Sequence, residues 1–207
     1  MHIAVIGWGS LIWCPGCLRI KSRWHSDGPA LPIEFARISS DKRLTLVIHP
    51  GSPEQQTYWA LTEFETLEEA GENLKAREGT NLKHIHSLAT DGQEQGEIDR
   101  QVATNIREWL RTRQNLQAAI WTGLPSNWER ERQGREFTDE DAVQYVSELE
   151  RARDEPEAAY DRAREYICNA PSQIQTPVRK MIREMKGWED ALLPAVLFRT
   201  GSSKADS

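Results

Sequence analysis

The chain of 207 residues is long enough to bury a full core, and a single domain over residues 1–199 is its simplest organisation. Its 26 Lys and Arg against 32 Asp and Glu leave a formal charge of −6, which gives no general attraction to nucleic acid or to an anionic membrane. No stretch reaches the roughly 18 apolar residues of a membrane span, and the start lacks the basic region and cleavage site of a secretory signal. We therefore expect a cytoplasmic protein with a small-molecule partner and neither nucleic acid nor membrane.

Ile3-Ala4-Val5-Ile6 is a short, continuous apolar run that reads as a buried strand, and it leads directly into Gly7-Trp8-Gly9-Ser10-Leu11-Ile12-Trp13. Two readings of this loop stand side by side. Gly7 and Gly9 free the backbone to turn so that its amides hold a carboxylate or an oxyanion, or the glycines serve packing alone.

Leu31 to Ile38, Leu44 to Ile48 and Thr57 to Phe64 read as strands, separated by Ser39-Ser40-Asp41 and by Pro50-Gly51-Ser52-Pro53. Their short connections predict an antiparallel meander. Thr66 with Glu69 forms a capping-box pattern that opens a helix, and Gly79 closes it. Leu82 to Leu88 reads as another strand, with His84 and His86 alternating on one face, and Asp91 to Gly96 as a polar loop.

Ile98, Val102, Ile106, Trp109 and Leu110 recur at helical spacing, and Leu116 to Trp121 reads as a strand. The segment from Gly123 to Phe137, with Pro125, Ser126, Asn127 and Trp128 among many charges, is expected to be a flexible cover. Ser126, Asn127 and Tyr145 receive no functional role. The last third is helical: Thr138 with Asp141, Pro156 and Thr176-Pro177 mark three starts, and Gly187 marks a stop. Residues 200–207 are small and polar and predict a frayed tail. The fold class is α+β, a mainly antiparallel sheet or small barrel with surrounding helices.

Cys14, Cys17 and Cys168 make an odd set that does not resemble a secreted disulfide framework. Cys14-Pro15-Gly16-Cys17 is a CxxC pair, but Pro15-Gly16 favours a turn over the helix start that a thioredoxin-type centre requires. A zinc site would need further ligands, with Cys168, His84 and His86 as remote candidates, and no second pair stands at zinc-finger spacing. No metal site is assigned. Several of the eight tryptophans, Trp8, Trp13, Trp24 and Trp128 among them, adjoin loops, where they either line a pocket or fill the core.

On the 66–78 helix, Leu67, Leu74 and Glu78 fall in one narrow sector, which puts a carboxylate on the apolar stripe. Turned inward, Glu78 is desolvated, gains affinity for a proton and suits proton transfer near neutral pH. Turned outward, it sits in water or pairs with Arg77.

The run Gly7-Trp8-Gly9-Ser10-Leu11-Ile12-Trp13-Cys14-Pro15-Gly16 resembles the N-terminal signature of the γ-glutamylcyclotransferase-like proteins, particularly the ChaC-type branch. Phe35 to Arg43 resembles that family's arginine- and serine-rich strand and turn, and Ala76-Arg77-Glu78-Gly79 the helix end carrying its catalytic glutamate. The likeness covers about residues 1–90. It implies a cofactor-free enzyme that cyclises a γ-glutamyl compound to 5-oxoproline with release of an amine. Glu78 would be the general acid and base, and Gly7, Trp8, Gly9, Ser10 and Leu11 the substrate-binding loop. Arg37 and Ser40 are further candidates for the pocket. Trp8 departs from the family's tyrosine and removes a phenolic hydroxyl. The alternatives are a ligand-binding or regulatory protein on the same fold and, third, a thiol redox protein using Cys14 and Cys17.

Overall fold

Ile3–Gly7 forms strand β1, and all five residues are buried because helices cover both faces of the sheet it joins. The computed structural model describes residues 1–152 and 159–191 and the backbone of 198–199. Pro156 and the segment 200–207 lie outside the described residues. In chain order the strands and helices are β2 (Trp24–His25), β3 (Ala30–Ile38), β4 (Leu44–Ile48), β5 (Glu54–Gln56), β6 (Tyr58–Leu61), α1 (Leu67–Glu78), β7 (Ile85–Ala89), β8 (Glu94–Gln95) and α2 (Arg100–Arg111). There follow β9 (Ala118–Thr122), α3 (Trp128–Glu131), α4 (Asp139–Arg151), α5 (Ala159–Asn169), α6 (Pro177–Lys186) and β10 (Phe198–Arg199). The result is a mixed α+β fold with a mainly antiparallel sheet and, among the described residues, six helices.

The larger sheet runs β10-β2-β6-β1-β9-β7-β8 and the smaller one β4-β3-β5. This corrects the expected meander. Strands β3 and β4 pair antiparallel as anticipated, but the third expected strand, Thr57 to Phe64, does not join them: the short β5 that precedes it pairs with β3, whereas β6 lies in the larger sheet and pairs with β1. Thr57 is fully buried and fixes the crossing by donating its hydroxyl to Pro29 O at 2.6 Å. A β-carbon on Gly28 would stand 2.7 Å from that hydroxyl, so only glycine leaves room for it.

Strand β9 lies parallel to β1, with Ile3 opposite Ala118, and the C-terminal ends of both strands reach the same edge. Ala4 and Ile6 of β1 face a core built with α2, α4, α5 and α6, while Ile3 and Val5 face Ala70 and Leu74 of α1. Helix α1 starts at the Thr66 cap, whose hydroxyl accepts the Glu69 amide, and stops at left-handed Gly79 (φ 59°). At the far end of the chain, Arg179 is wholly buried. It donates to Pro171 O and Ile174 O, both at 2.7 Å, and to Asp190 Oδ1 at 2.7 Å, which closes the α5–α6 turn.

Two further expectations change. Leu82 to His84 forms a 3₁₀ turn, so His84 precedes β7 and does not share a strand face with His86. His86 is buried between Gly96 and Gly123, where a β-carbon on either glycine would stand 2.2 Å from the ring, and burial holds its pKa below the usual histidine value. The 123–137 segment is fastened to the sheet. Ser126 Oγ donates to Ala36 O at 2.6 Å, and Asn127 accepts from Ile38 N at 2.9 Å and donates to Ile38 O at 2.8 Å. Trp128, 1% exposed, then anchors α3 in the core. The residues left without a role in the sequence therefore hold this segment to β3.

Candidate active site

Where β1 and β9 end, a cavity of about 360 Å³ opens between the 8–11 loop, the β3–β4 strands, the C-terminus of α1 and Tyr166 of α5. Trp8, Gly9, Ser10, Leu11 and Glu78 all line it, together with Arg37 and Ser40. Gly7 ends the strand just beneath. Segments far apart in the chain therefore meet in one space.

Gly7 and Gly9 are needed here for room and not for a left-handed turn, since positive φ occurs at other glycines. A β-carbon on Gly7 would stand 2.9 Å from the Trp24 ring, and one on Gly9 would stand 2.5 Å from the Tyr166 hydroxyl. Of the two readings of these glycines, close packing is the one the structure supports. Among the described residues, the Gly9 and Leu11 amides donate to no acceptor, so they remain as donors at the loop.

Glu78 and Arg77 are adjacent in sequence, and their side chains, only 16% and 12% exposed, point to the same side. Arg77 Nη1 donates to Glu78 Oε1 at 2.7 Å, while Nη2 donates to Ser10 Oγ at 3.1 Å and Cys14 O at 2.6 Å. One guanidinium thus ties the carboxylate to the loop. The two alternatives for Glu78 coexist: it is turned inward, and it is paired. Burial pushes its pKa up, against the opposing pull of Arg77, and its place at a helix C-terminus also disfavours the anion. Oε2 has no hydrogen bond among the described residues and is available to a ligand.

The electrostatic character of the cavity opposes that of the chain. Arg37, Arg43 and Arg77 face it against the single carboxylate of Glu78, whereas the whole protein carries −6. Such a cavity favours an anionic ligand. The Thr122 hydroxyl, buried and without a hydrogen-bond partner among the described residues, is an additional polar contact.

Comparison of the chain with family models, curated proteins and solved structures gives no match.

Tyr166 is the site residue that the sequence did not disclose. On α5 it belongs to the stripe Tyr160, Ala163, Tyr166 and Ile167, which reads simply as core. Its ring packs edge-on to Trp13 at 5.2 Å and lies beneath the Arg43 guanidinium at 5.3 Å. Burial, reinforced by the charge of Glu78, raises its pKa to about 12, so it stays a neutral hydroxyl. Trp8 is buried and turns its indole nitrogen toward Leu46 O at 3.5 Å. A phenolic hydroxyl that Trp8 cannot supply thus reaches the loop from α5.

Cys14 and Cys17 are exposed free thiols outside the cavity lining. Among the described residues, no three His, Cys, Asp or Glu side chains gather to hold a metal ion. No helix of the described residues is long and apolar enough to cross a membrane.

Proposed function

We propose that this protein cyclises a γ-glutamyl compound to 5-oxoproline and releases an amine. One observation carries the reading: Glu78, with its raised proton affinity, lines the same small cavity as the 8–11 loop and is joined to that loop through Arg77. Glu78 takes a proton from the substrate α-ammonium, and the freed nitrogen attacks the γ-carbonyl. As the bond to the departing nitrogen breaks, Glu78 returns the proton to it, and the second proton that the ring nitrogen sheds on becoming an amide also ends on the released amine, which leaves as an ammonium. The reaction is balanced without a cofactor.

The rest of the cavity supports that course. Arginines facing one carboxylate suit a substrate with its own carboxylate, and the Gly9 and Leu11 amides suit either that group or the oxyanion formed during attack. A cavity of this size also keeps the substrate folded for ring closure, which removes the entropy of a two-molecule encounter.

A binding protein without turnover is the second reading, favoured by the Arg77–Glu78 ion pair, which neutralises the carboxylate in the unliganded chain. Incubation with glutathione, γ-glutamyl amino acids and γ-glutamylamines, with assay of 5-oxoproline, separates the two. We expect product from the wild type and a rate lowered by about 10²–10⁴ in Glu78→Gln. Calorimetric binding with no product across the panel would replace the enzyme by the binding protein.

A further inference from the structure

Two of the buried tyrosines spend their hydroxyl protons on the protein itself: Tyr145 donates to Lys42 O at 2.6 Å and Tyr160 to Glu150 Oε1 at 2.8 Å. Tyr166 differs from both. It is equally buried and lines the cavity at Glu78, yet its hydroxyl donates to no acceptor among the described residues. Buried polar groups are nearly always satisfied, so an unspent proton at a cavity wall points to an acceptor on a ligand.

The surroundings of the oxygen decide where that proton is available. The hydroxyl overhangs Gly9, 2.5 Å from the position of a β-carbon there. The Leu46 and Ser10 backbone favours the phenolate, which a backbone group does by presenting its N–H, so both amides face the lone pairs of the oxygen. The proton is left to the cavity side. Arg43 lies over the ring at 5.3 Å and makes the O–H a better donor, while burial and the charge of Glu78 keep the group neutral. Tyr166 is thus a donor that stays protonated in the same cavity as the carboxylate that moves protons.

Arg37, Arg43 and Arg77 already face the cavity and suit a carboxylate that the substrate carries at all times. The γ-carbonyl oxygen is different, because it becomes negative only as the nitrogen attacks. A neutral, fixed hydroxyl suits charge that appears only during the reaction.

We propose, on the cyclisation reading above, that Tyr166 is a further catalytic residue whose hydroxyl donates to the γ-carbonyl oxygen of the substrate as that oxygen becomes negative. Attack by the freed nitrogen forms the ring C–N bond and moves the carbonyl π pair onto oxygen, where the Tyr166 hydrogen bond tightens. When the bond to the departing nitrogen breaks, the pair returns and the carbonyl re-forms. Tyr166 keeps its proton throughout, so the proton transfers of Glu78 are unaltered. The Gly9 amide, which donates to no acceptor among the described residues, belongs to the residue that the hydroxyl overhangs and supplies a second donor.

Tyr166→Phe tests the role, because it retains the ring contacts with Trp13 and Phe35 and removes the oxygen alone. With the γ-glutamyl compound that the wild type turns over, kcat should fall by about 10²–10³, the usual cost of one oxyanion donor, while KM changes by no more than about twofold. Calorimetry supplies a second arm that needs no turnover. A γ-phosphonamidate analogue, tetrahedral and anionic at the reacting centre, should bind Tyr166→Phe at least about tenfold more weakly than the wild type. The planar substrate should bind Glu78→Gln and the double variant Glu78→Gln/Tyr166→Phe alike. If the urea midpoint of Tyr166→Phe falls, the calorimetric comparison on folded protein decides.

An unchanged kcat in Tyr166→Phe beside an active wild type would overturn this role and leave the cyclisation standing. A raised KM at constant kcat, or equal losses of analogue and substrate binding, would make the hydroxyl a ground-state contact and overturn it as well. No product from the wild type across the panel would remove the cyclisation and this role with it.

Discussion

The Tyr166 hydroxyl lies 2.5 Å from the point where a β-carbon on Gly9 would stand, so a tyrosine on α5 and a glycine after β1 share one volume. The next atom of the ring, Cζ, is 3.6 Å from that point, an ordinary contact. The conflict is therefore confined to the oxygen.

Gly9→Ala should destabilise the protein by about 1–3 kcal/mol, the usual cost of overpacking a closed site, and should depress turnover. Tyr166→Phe removes the oxygen while keeping the contacts of the ring with Trp13 and Phe35. The double variant should then recover most of the stability lost by Gly9→Ala, read from urea midpoints at constant slope. Additive losses would show that Gly9 is required for some other reason.

The second expectation concerns the ion pair at the end of α1. Burial raises the proton affinity of Glu78 and Arg77 opposes it, so the carboxylate begins to ionise above its ordinary value of 4.5. A base must be ionised to act, and kcat/KM should rise with pH through this raised pKa. Arg77→Gln removes the opposing charge, which pushes the Glu78 pKa further up and moves the acid limb of the profile to higher pH. Carbon-13 NMR titration of the carboxyl group checks the same shift without a substrate. An unmoved titration in Arg77→Gln would mean that the pair does not set the proton affinity. Glu78→Gln should lower kcat by about 10²–10⁴, the usual contribution of a general acid and base.

What the sequence disclosed of this site follows a physical division. The Thr66 cap, the Gly79 stop and the facing of Glu78 are local properties of some dozen residues, and they recur in the structure as read. The strand from Ile3 and the loop after it are equally local. Partner choice is not: nothing within Thr57 to Phe64 announces that the chain changes sheets at Thr57, because the cause lies in Gly28 and Pro29. Tyr166 was invisible for the same reason. Its helical stripe marks it as buried, and only the packing of α5 on β4 brings its hydroxyl to Gly9. The 123–137 segment misled because polar, Pro-containing sequence reads as an exposed loop, whereas Ser126 and Asn127 spend their side chains on the β3 backbone.

The third expectation arises from a carboxylate outside the site. Glu34 of β3 is wholly buried; its Oε1 accepts the Phe35 amide at 2.7 Å, and Oε2 has no partner among the described residues. Around it stand Thr176 and the Val178 backbone from α6 and Asp139 from the first turn of α4. Burial, with a lesser push from Asp139, raises its pKa from 4.5 to about 7, against the opposing pull of the nearby Thr176 hydroxyl and of the Phe35 and Val178 backbone. The folded state therefore holds a proton that the unfolded chain releases above pH 4.5. Stability from this group is fully present below 4.5, falls as pH rises toward 7 and is constant above it, a loss of about 3 kcal/mol at most. Glu34→Gln keeps the acceptor for Phe35 and cannot ionise, so it should flatten the decline and raise the Tm at pH 8 by several degrees. Denaturant unfolding of both proteins at pH 5, 6, 7 and 8 measures the difference directly. If the variant declines as steeply as the wild type, another group carries the pH dependence; if the two curves meet near pH 5 and separate above it, the buried proton on Glu34 carries it.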